Sequence, residues 1–137
     1  MEKQLILVSH GSFAAELKRS TEMIMGPQEG IHAIGLLESE GPEDFQVKVE
    51  ALLANYKEDE VVIFADLQGG TPCNVVSRMV LEGASFDIYA GMNMPMVIAY
   101  LNSLWTGQEA DFAEKARQNT LHVNSLLFGE DDDDLDE

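Results

Sequence analysis

The sequence predicts an α/β fold: an open, mostly parallel sheet of order 2-1-3-4, with helices on both faces and a C-terminal antiparallel edge strand. Four short apolar runs, at residues 5–8, 31–37, 61–65 and 86–90, have the near-continuous hydrophobicity of strands covered on both sides. Each is followed by a segment with helical spacing, and four βα units in succession imply parallel strands. Right-handed crossovers that place helices on both faces require the winding to reverse once. Strands one and three are the neighbours expected at that reversal.

Leu5-Ile6-Leu7-Val8 forms the first strand. Ser12 can cap the helix after it, where Phe13, Leu17, Ile24 and Met25 recur at helical spacing until Gly26-Pro27 stops the run. After the second strand, Pro42 suits the first turn of a helix carrying Phe45, Val49, Leu52 and Leu53 on one face. The third strand opens through Asp66 into a helix begun by Thr71-Pro72 and ended near Gly83. Gly91-Met92-Asn93 leads the fourth strand into a Pro95-initiated helix ending near Leu104. Thr106 can cap a last helix over 107–118. Residues 121–128 are apolar and partly alternating, which reads as a final strand. A terminal strand at a sheet edge is a candidate for exchange between protomers.

A chain of 137 residues is expected to be one domain with a sizeable core. We expect it to span 1–129 and to be followed by an acidic, disordered tail over 130–137. The chain has 25 acidic and 8 basic residues, and seven of the acids lie in that tail. The remaining 18 acids still outnumber the bases, so nucleic acid is a poor fit, because phosphate backbones need Lys and Arg. A basic protein partner suits this charge through electrostatic steering. No apolar stretch reaches the roughly 20 residues of a membrane span, and Met1-Glu2-Lys3-Gln4 lacks the cleavage region of a signal peptide. A lone cysteine, Cys73, excludes an internal disulfide and fits a reducing cytoplasm.

His10 is the main candidate for chemistry. It closes the first strand, at the carboxyl edge where open α/β sheets bind their ligands. Near neutral pH an imidazole can present an unprotonated nitrogen as a nucleophile. Asp66 occupies the equivalent end of the third strand. A carboxylate that accepts one ring N–H fixes the tautomer, turns the other nitrogen outward and stabilises positive charge on the ring. Gly69 and Gly70 permit a nest of backbone N–H groups, Thr71 adds a hydroxyl, and the helix starting there favours an anion. An imidazole beside such a nest suggests phosphohistidine chemistry, in which positioning and electrostatics do most of the catalysis. No Walker lysine motif is present and no clustered carboxylates suggest a magnesium site, so the expectation is a phosphoprotein donor with no nucleotide, metal or other cofactor.

Met92, Met94 and Met96 can line an adaptable docking surface or join the core, and Phe13 can form an apolar docking rim. His32 and His122 read as structural or surface residues, without metal-ligand spacing to Cys73. Cys73 and Trp105 read as packing residues.

Three segments, in order, carry a family resemblance: Val8-Ser9-His10-Gly11, Asp66-Leu67-Gln68-Gly69-Gly70-Thr71-Pro72 and Gly91-Met92-Asn93-Met94-Pro95-Met96. They resemble the motifs of the IIA component of the mannose-family bacterial sugar phosphotransferase system, over approximately residues 3–128. The resemblance implies that His10 accepts a phosphoryl group from the phosphocarrier protein HPr. It implies transfer to a histidine of a IIB component, ahead of uptake through membrane IIC and IID proteins. By the same resemblance Asp66 orients the imidazole, Gly69, Gly70 and Thr71 contact the phosphoryl oxygens, and a homodimer exchanges its C-terminal strand. Threonine at 71 stands where the family often has serine.

Two alternatives share this fold and histidine: a phosphotransfer subunit serving dihydroxyacetone kinase, and a non-catalytic regulatory module read out by phosphorylation. A receiver domain phosphorylated on Asp66 would need further acids at the end of the first strand, where Ser9-His10-Gly11 stands. A serine hydrolase would need a Gly-x-Ser-x-Gly elbow, and neither Ser9 nor Ser12 has one.

Overall fold

A computed structural model describes residues 3–129, which form a four-stranded, all-parallel sheet of order β2-β1-β3-β4. The strands are β1 (Gln4–His10), β2 (Ile31–Leu36), β3 (Val61–Ala65) and β4 (Asp87–Ala90). Between them run α1 (Phe13–Met25), α2 (Pro42–Leu53) and α3 (Thr71–Leu81), and α4 (Met94–Thr106), α5 (Phe112–Gln118) and α6 (Val123–Phe128) follow. A 3-10 turn at Glu58–Glu60 leads into β3. The parallel sheet and its order agree with the sequence-based expectation. The proposed acidic tail, 130–137, lies outside the described residues.

Strand periodicity divides the core in two. Leu5 and Leu7 of β1, with Phe64 of β3, pack against Ala14 and Leu17 of α1, Tyr100 and Leu101 of α4 and Phe112 of α5. On the other face Ile6, Val8 and Ile63 pack against Phe45 and Val49 of α2 and Val76 of α3. Leu5, Ile6, Leu7 and Val8 are wholly buried. Each such aliphatic side chain contributes about 1.5–3 kcal/mol on leaving water, so β1 is the axis of the fold.

Tertiary packing altered several local expectations. The buried stripe of α1 is Ala14, Leu17 and Thr21, with Met25 partly covered, whereas Phe13 and Ile24 face outward. Ser12 makes no cap hydrogen bond; Ser9 Oγ accepts from the Ala14 N–H at 2.8 Å instead. The helix expected over 107–118 starts later, because Asp111 Oδ1 accepts from the Glu114 N–H and caps α5. Thr106 closes α4 before Gly107 turns into the left-handed region. Trp105, expected to pack, is exposed.

The expected C-terminal antiparallel strand is a correction of kind. Residues 123–128 are helical, between His122 at the N-cap and a left-handed Gly129. Val123, Leu126 and Leu127 fit the i, i+3, i+4 spacing of a helix as well as they fit partial alternation. A helix also closes its own backbone bonds, as Leu126 N–H does on the His122 carbonyl, where a strand needs a neighbouring ladder. No helix among the described residues is long and apolar enough to cross a membrane.

Candidate phosphoryl-transfer site

The site lies at the carboxyl edge of β1 and β3, the two central strands. Their register ends at Val8 opposite Ala65, and the Asp66 N–H then donates to the Val8 carbonyl at 3.1 Å. The next ladder position is taken by a side chain. Asp66 Oδ2 accepts the backbone N–H of His10 at 2.9 Å and stands 2.7 Å from His10 Nδ1. Asp66 Oδ1 accepts the Leu67 N–H at 2.9 Å.

Burial of the Asp66 carboxyl works to raise its pKa. Hydrogen bonds from the His10 amide, the His10 imidazole and the Leu67 amide outweigh that effect, and the group sits below its ordinary value. An ionised Asp66 can only accept, so Nδ1 carries the proton that it donates to the carboxylate. The free ring lone pair is then on Nε2. The imidazole is half exposed (50%), whereas the carboxylate is 9% exposed. One partner is fixed in the protein and the other is offered to solvent.

The Nε2 side of the ring rests on the loop before α3. A Cβ on Gly70 would stand 2.6 Å from His10 Cε1 and 3.2 Å from Nε2. Gly70 has φ −94°, which any residue adopts, so here glycine is required by space alone. Gly69, at φ +91°, is required by conformation. The loop is tied to the helix by the Asn74 N–H, which donates to the Gly70 carbonyl at 2.9 Å. The first amides of a helix have no acceptor within it, and the positive end of the α3 dipole therefore faces the space beside Nε2. Thr71 is the first residue of α3 and is half-buried. His10, Asp66, Gly70 and the α3 terminus thus come together as one site, with Gly69 and Thr71 flanking it.

The docking candidates divide. Phe13 starts α1 and is 47% exposed, two residues past the turn at Gly11. Met92 is a correction: it is 4% exposed and belongs to the core. Its N–H donates to the Ala65 carbonyl, which folds the segment after β4 over β3 and carries the side chain inward. Met94 is half-buried against the same core layer. Within that segment Asn93 caps α4, its Oδ1 accepting the Met96 N–H at 3.0 Å.

Sequence reasoning missed several residues. Ser9, weighed only as a nucleophile, is fully buried; it accepts from the Ala14 N–H and donates to the His10 carbonyl at 3.0 Å. Leu37 and Leu67, each one residue past the end of a strand or its carboxylate, are half exposed at the same edge as Phe13. An apolar residue placed directly after a strand terminus was the available signal. His32 is structural, with Nε2 2.8 Å from Gln4 Oε1 and its ring against Tyr56. Cys73 is buried beside Ser77, as a packing residue.

Comparison with known proteins identifies the family and the fold. The family described as PTS system fructose IIA component, EIIA-man, matches residues 4–117. The chain is 32% identical over 99 residues to a "PTS system fructose-specific EIIA component" of Bacillus subtilis, covering 72% of this chain and 68% of that protein. It is 33% identical over 98 residues to the "PTS system mannose-specific EIIAB component" of Escherichia coli K12; the match covers 71% of this chain but 30% of that longer protein. The fold is shared with a phosphotransferase system component EIIA from Streptococcus agalactiae, at TM-score 0.79 and 24% identity, over 89% of this chain and 98% of that one.

Proposed function

Because the chain belongs to the EIIA-man family of sugar phosphotransferase system IIA components, we propose that it carries a phosphoryl group on His10 Nε2. The IIA components of this family are phosphotransfer proteins. In the proposed reaction, Nε2 attacks the phosphorus of phospho-HPr. A nitrogen–phosphorus bond forms on His10 as the one on the donor histidine breaks, and the donor imidazole leaves with the electron pair. Asp66 keeps the proton on Nδ1 and stabilises the positive charge that the ring acquires. The Gly69-Gly70-Thr71 loop and the α3 terminus receive the phosphoryl oxygens. A histidine of a IIB component then attacks the same phosphorus, and His10 leaves as neutral imidazole, ahead of uptake through the membrane IIC and IID proteins.

The observation that carries this reading is the 2.7 Å contact from His10 Nδ1 to Asp66, with the Cε1–Nε2 edge of the ring packed on Gly70. Neither His10 nor Asp66 is hydrogen bonded or ion paired to a lysine or arginine among the described residues. Amide and dipole stabilisation without a paired cation suits a group that must be passed on. In this reading Phe13, Leu37 and Leu67 form the apolar rim on which HPr and IIB dock in turn, with half-buried Met94 as a further contact. The acidic balance of the chain favours basic partner surfaces. We also read the protein as a homodimer, since Leu126, Leu127 and Phe128 leave an apolar face on α6 exposed.

The test is intact-protein mass after incubation with phosphoenolpyruvate, enzyme I and HPr. One acid-labile phosphoryl group is expected on the wild type and none on His10→Ala. A phosphoryl group retained by His10→Ala, or none on the wild type with competent partners, refutes the reading. Draining of the label by IIB, and not by a dihydroxyacetone kinase, fixes the acceptor. Light scattering at micromolar concentration checks the dimer.

A further inference from the structure

We propose that Gly35 of β2, anchored by Lys48 of α2, is the positioning element that holds the His10 imidazole on Asp66 and Gly70. The proposal rests on His10 as the phosphoryl acceptor. The turn that follows His10 is seated on the neighbouring edge strand by two contacts. The Gly11 N–H donates to the Leu36 carbonyl at 2.8 Å, which extends the pairing of β1 with β2 one residue beyond His10. The Gly11 carbonyl then lies over Gly35 so closely that a Cβ there would stand 2.0 Å from the oxygen and 3.1 Å from its carbon.

Gly35 has no left-handed backbone angle, so conformation does not require glycine there. The missing side chain is what allows the turn to settle. Gly11 itself has φ +55°, a backbone state that few residues adopt. The atom opposing Gly35 is backbone oxygen with no rotamer to move aside. A Cβ at position 35 must therefore displace the turn itself.

Lys48 supports Gly35 from α2. Its Nζ donates to the Gly35 carbonyl at 2.6 Å and to Glu40 Oε1 at 2.8 Å. Glu40 Oε1 also accepts the Leu37 N–H at 2.9 Å. These bonds tie the end of β2 to α2, and through Gly35 they fix where the His10–Gly11 turn rests. His10 is held on Asp66 Oδ2 by its backbone N–H at 2.9 Å and by Nδ1 at 2.7 Å, so movement of its backbone is transmitted to the ring.

The variants are Gly35→Ala, which adds the Cβ, and Lys48→Met, which removes the anchor while keeping the aliphatic stem. Two readouts are taken on each: the rate of phosphoryl acceptance from phospho-HPr, and the 15N ring signals of the three histidines. Relieving a 2.0 Å approach to ordinary contact needs more than 1 Å of movement, and misplacement on that scale costs about 100-fold in rate. That loss is expected for Gly35→Ala, with His10 Nδ1 losing its hydrogen-bonded signature while His32 and His122 keep their wild-type signals. Lys48→Met is expected to shift the same His10 signals with a smaller loss of rate. A folded Gly35→Ala protein with wild-type His10 signals and a rate within twofold overturns the proposal. If Gly35→Ala does not fold, Lys48→Met decides on the same two readouts. If the wild type accepts no phosphoryl group, the phosphocarrier reading fails by itself, and the His10 signals still decide the positioning.

Discussion

Replacing Asp66 by asparagine tests the division of labour at the site. Asp66 Oδ2 serves two donors on His10, at 2.7 and 2.9 Å, and Oδ1 serves the Leu67 N–H at 2.9 Å. Asparagine offers one oxygen and one amide group. With the oxygen turned to His10, both of its donors stay satisfied and the Leu67 N–H faces another donor. Two neutral bonds then replace two charge-assisted ones. A bond to a charged group is worth about 1.5–3 kcal/mol against about 1 for a neutral one. Of the two bonds to His10, only the Nδ1 bond strengthens as the ring becomes positive in the proposed transfer, so the expected loss is about 0.5–2 kcal/mol, or roughly 2- to 30-fold in rate. With the amide turned to His10 the proton is driven to Nε2, the nucleophilic lone pair is lost, and the cost approaches the about 10⁴-fold of a wrong-tautomer triad.

Rapid-quench transfer from labelled phospho-HPr measures the rate, and 15N ring shifts report which orientation occurred. A rate within twofold of wild type, with the tautomer unchanged, would refute the assignment of Asp66. The pH dependence has a definite sign. The folded pKa of Asp66 lies below its ordinary value, so its contribution to stability is complete above the unfolded pKa of about 3.9 and is lost as pH falls through the folded value. Asp66→Asn should therefore remove part of the acid-induced loss of stability below about pH 4.

Three further outcomes are expected. Gly70→Ala places a methyl 2.6 Å from His10 Cε1, so phosphoryl acceptance should fall about 100-fold while Tm stays close to wild type; a displaced ring with an unchanged rate would deny Gly70 its place beside Nε2. Ser9→Ala strands the Ala14 N–H in a fully buried setting, at a cost of about 1–2 kcal/mol, or roughly 3–7 °C in Tm by calorimetry; no change would mean that α1 is capped elsewhere. The His32 pKa is lowered, by burial first and by Lys18 second, so the folded state favours its neutral form. That stability is present above the ordinary value of about 6.5 and is lost as pH falls through the folded one; the urea midpoint of His32→Gln should therefore drop less than that of wild type between pH 7.5 and 5.

The sheet was legible because β1 and β3 are apolar on both faces, a pattern that only a covered parallel strand requires. His10 and Asp66 were legible because each is a polar residue at the end of such a run. Gly70 could be read as part of an anion nest, but its contact with the imidazole could not, since position 10 is 60 residues away in the chain. The exposed sides of the helices were harder to read. Ile24 and Trp105 are apolar yet face solvent, because α1 and α4 each bury a stripe narrower than their apolar content allows.

Residues 121–128 show where local pattern runs out. Val123, Leu126, Leu127 and Phe128 satisfy a helical and a partly alternating template together, and the choice between them depends on whether a strand neighbour is in place. Ser9 and Ser12 make the same point within one turn: both can cap α1 by type, and only the path of the chain after His10 puts Ser9 Oγ on the Ala14 N–H. What the sequence alone determined was periodicity, and with it the parallel sheet and the two residues at the strand ends; crossover handedness then supplied the expected strand order. What the tertiary structure decided was close approach: Gly70 under the imidazole, Gly11 on Gly35, Met92 into the core. Periodicity is written in neighbouring residues, whereas approach depends on where distant segments of backbone come to rest.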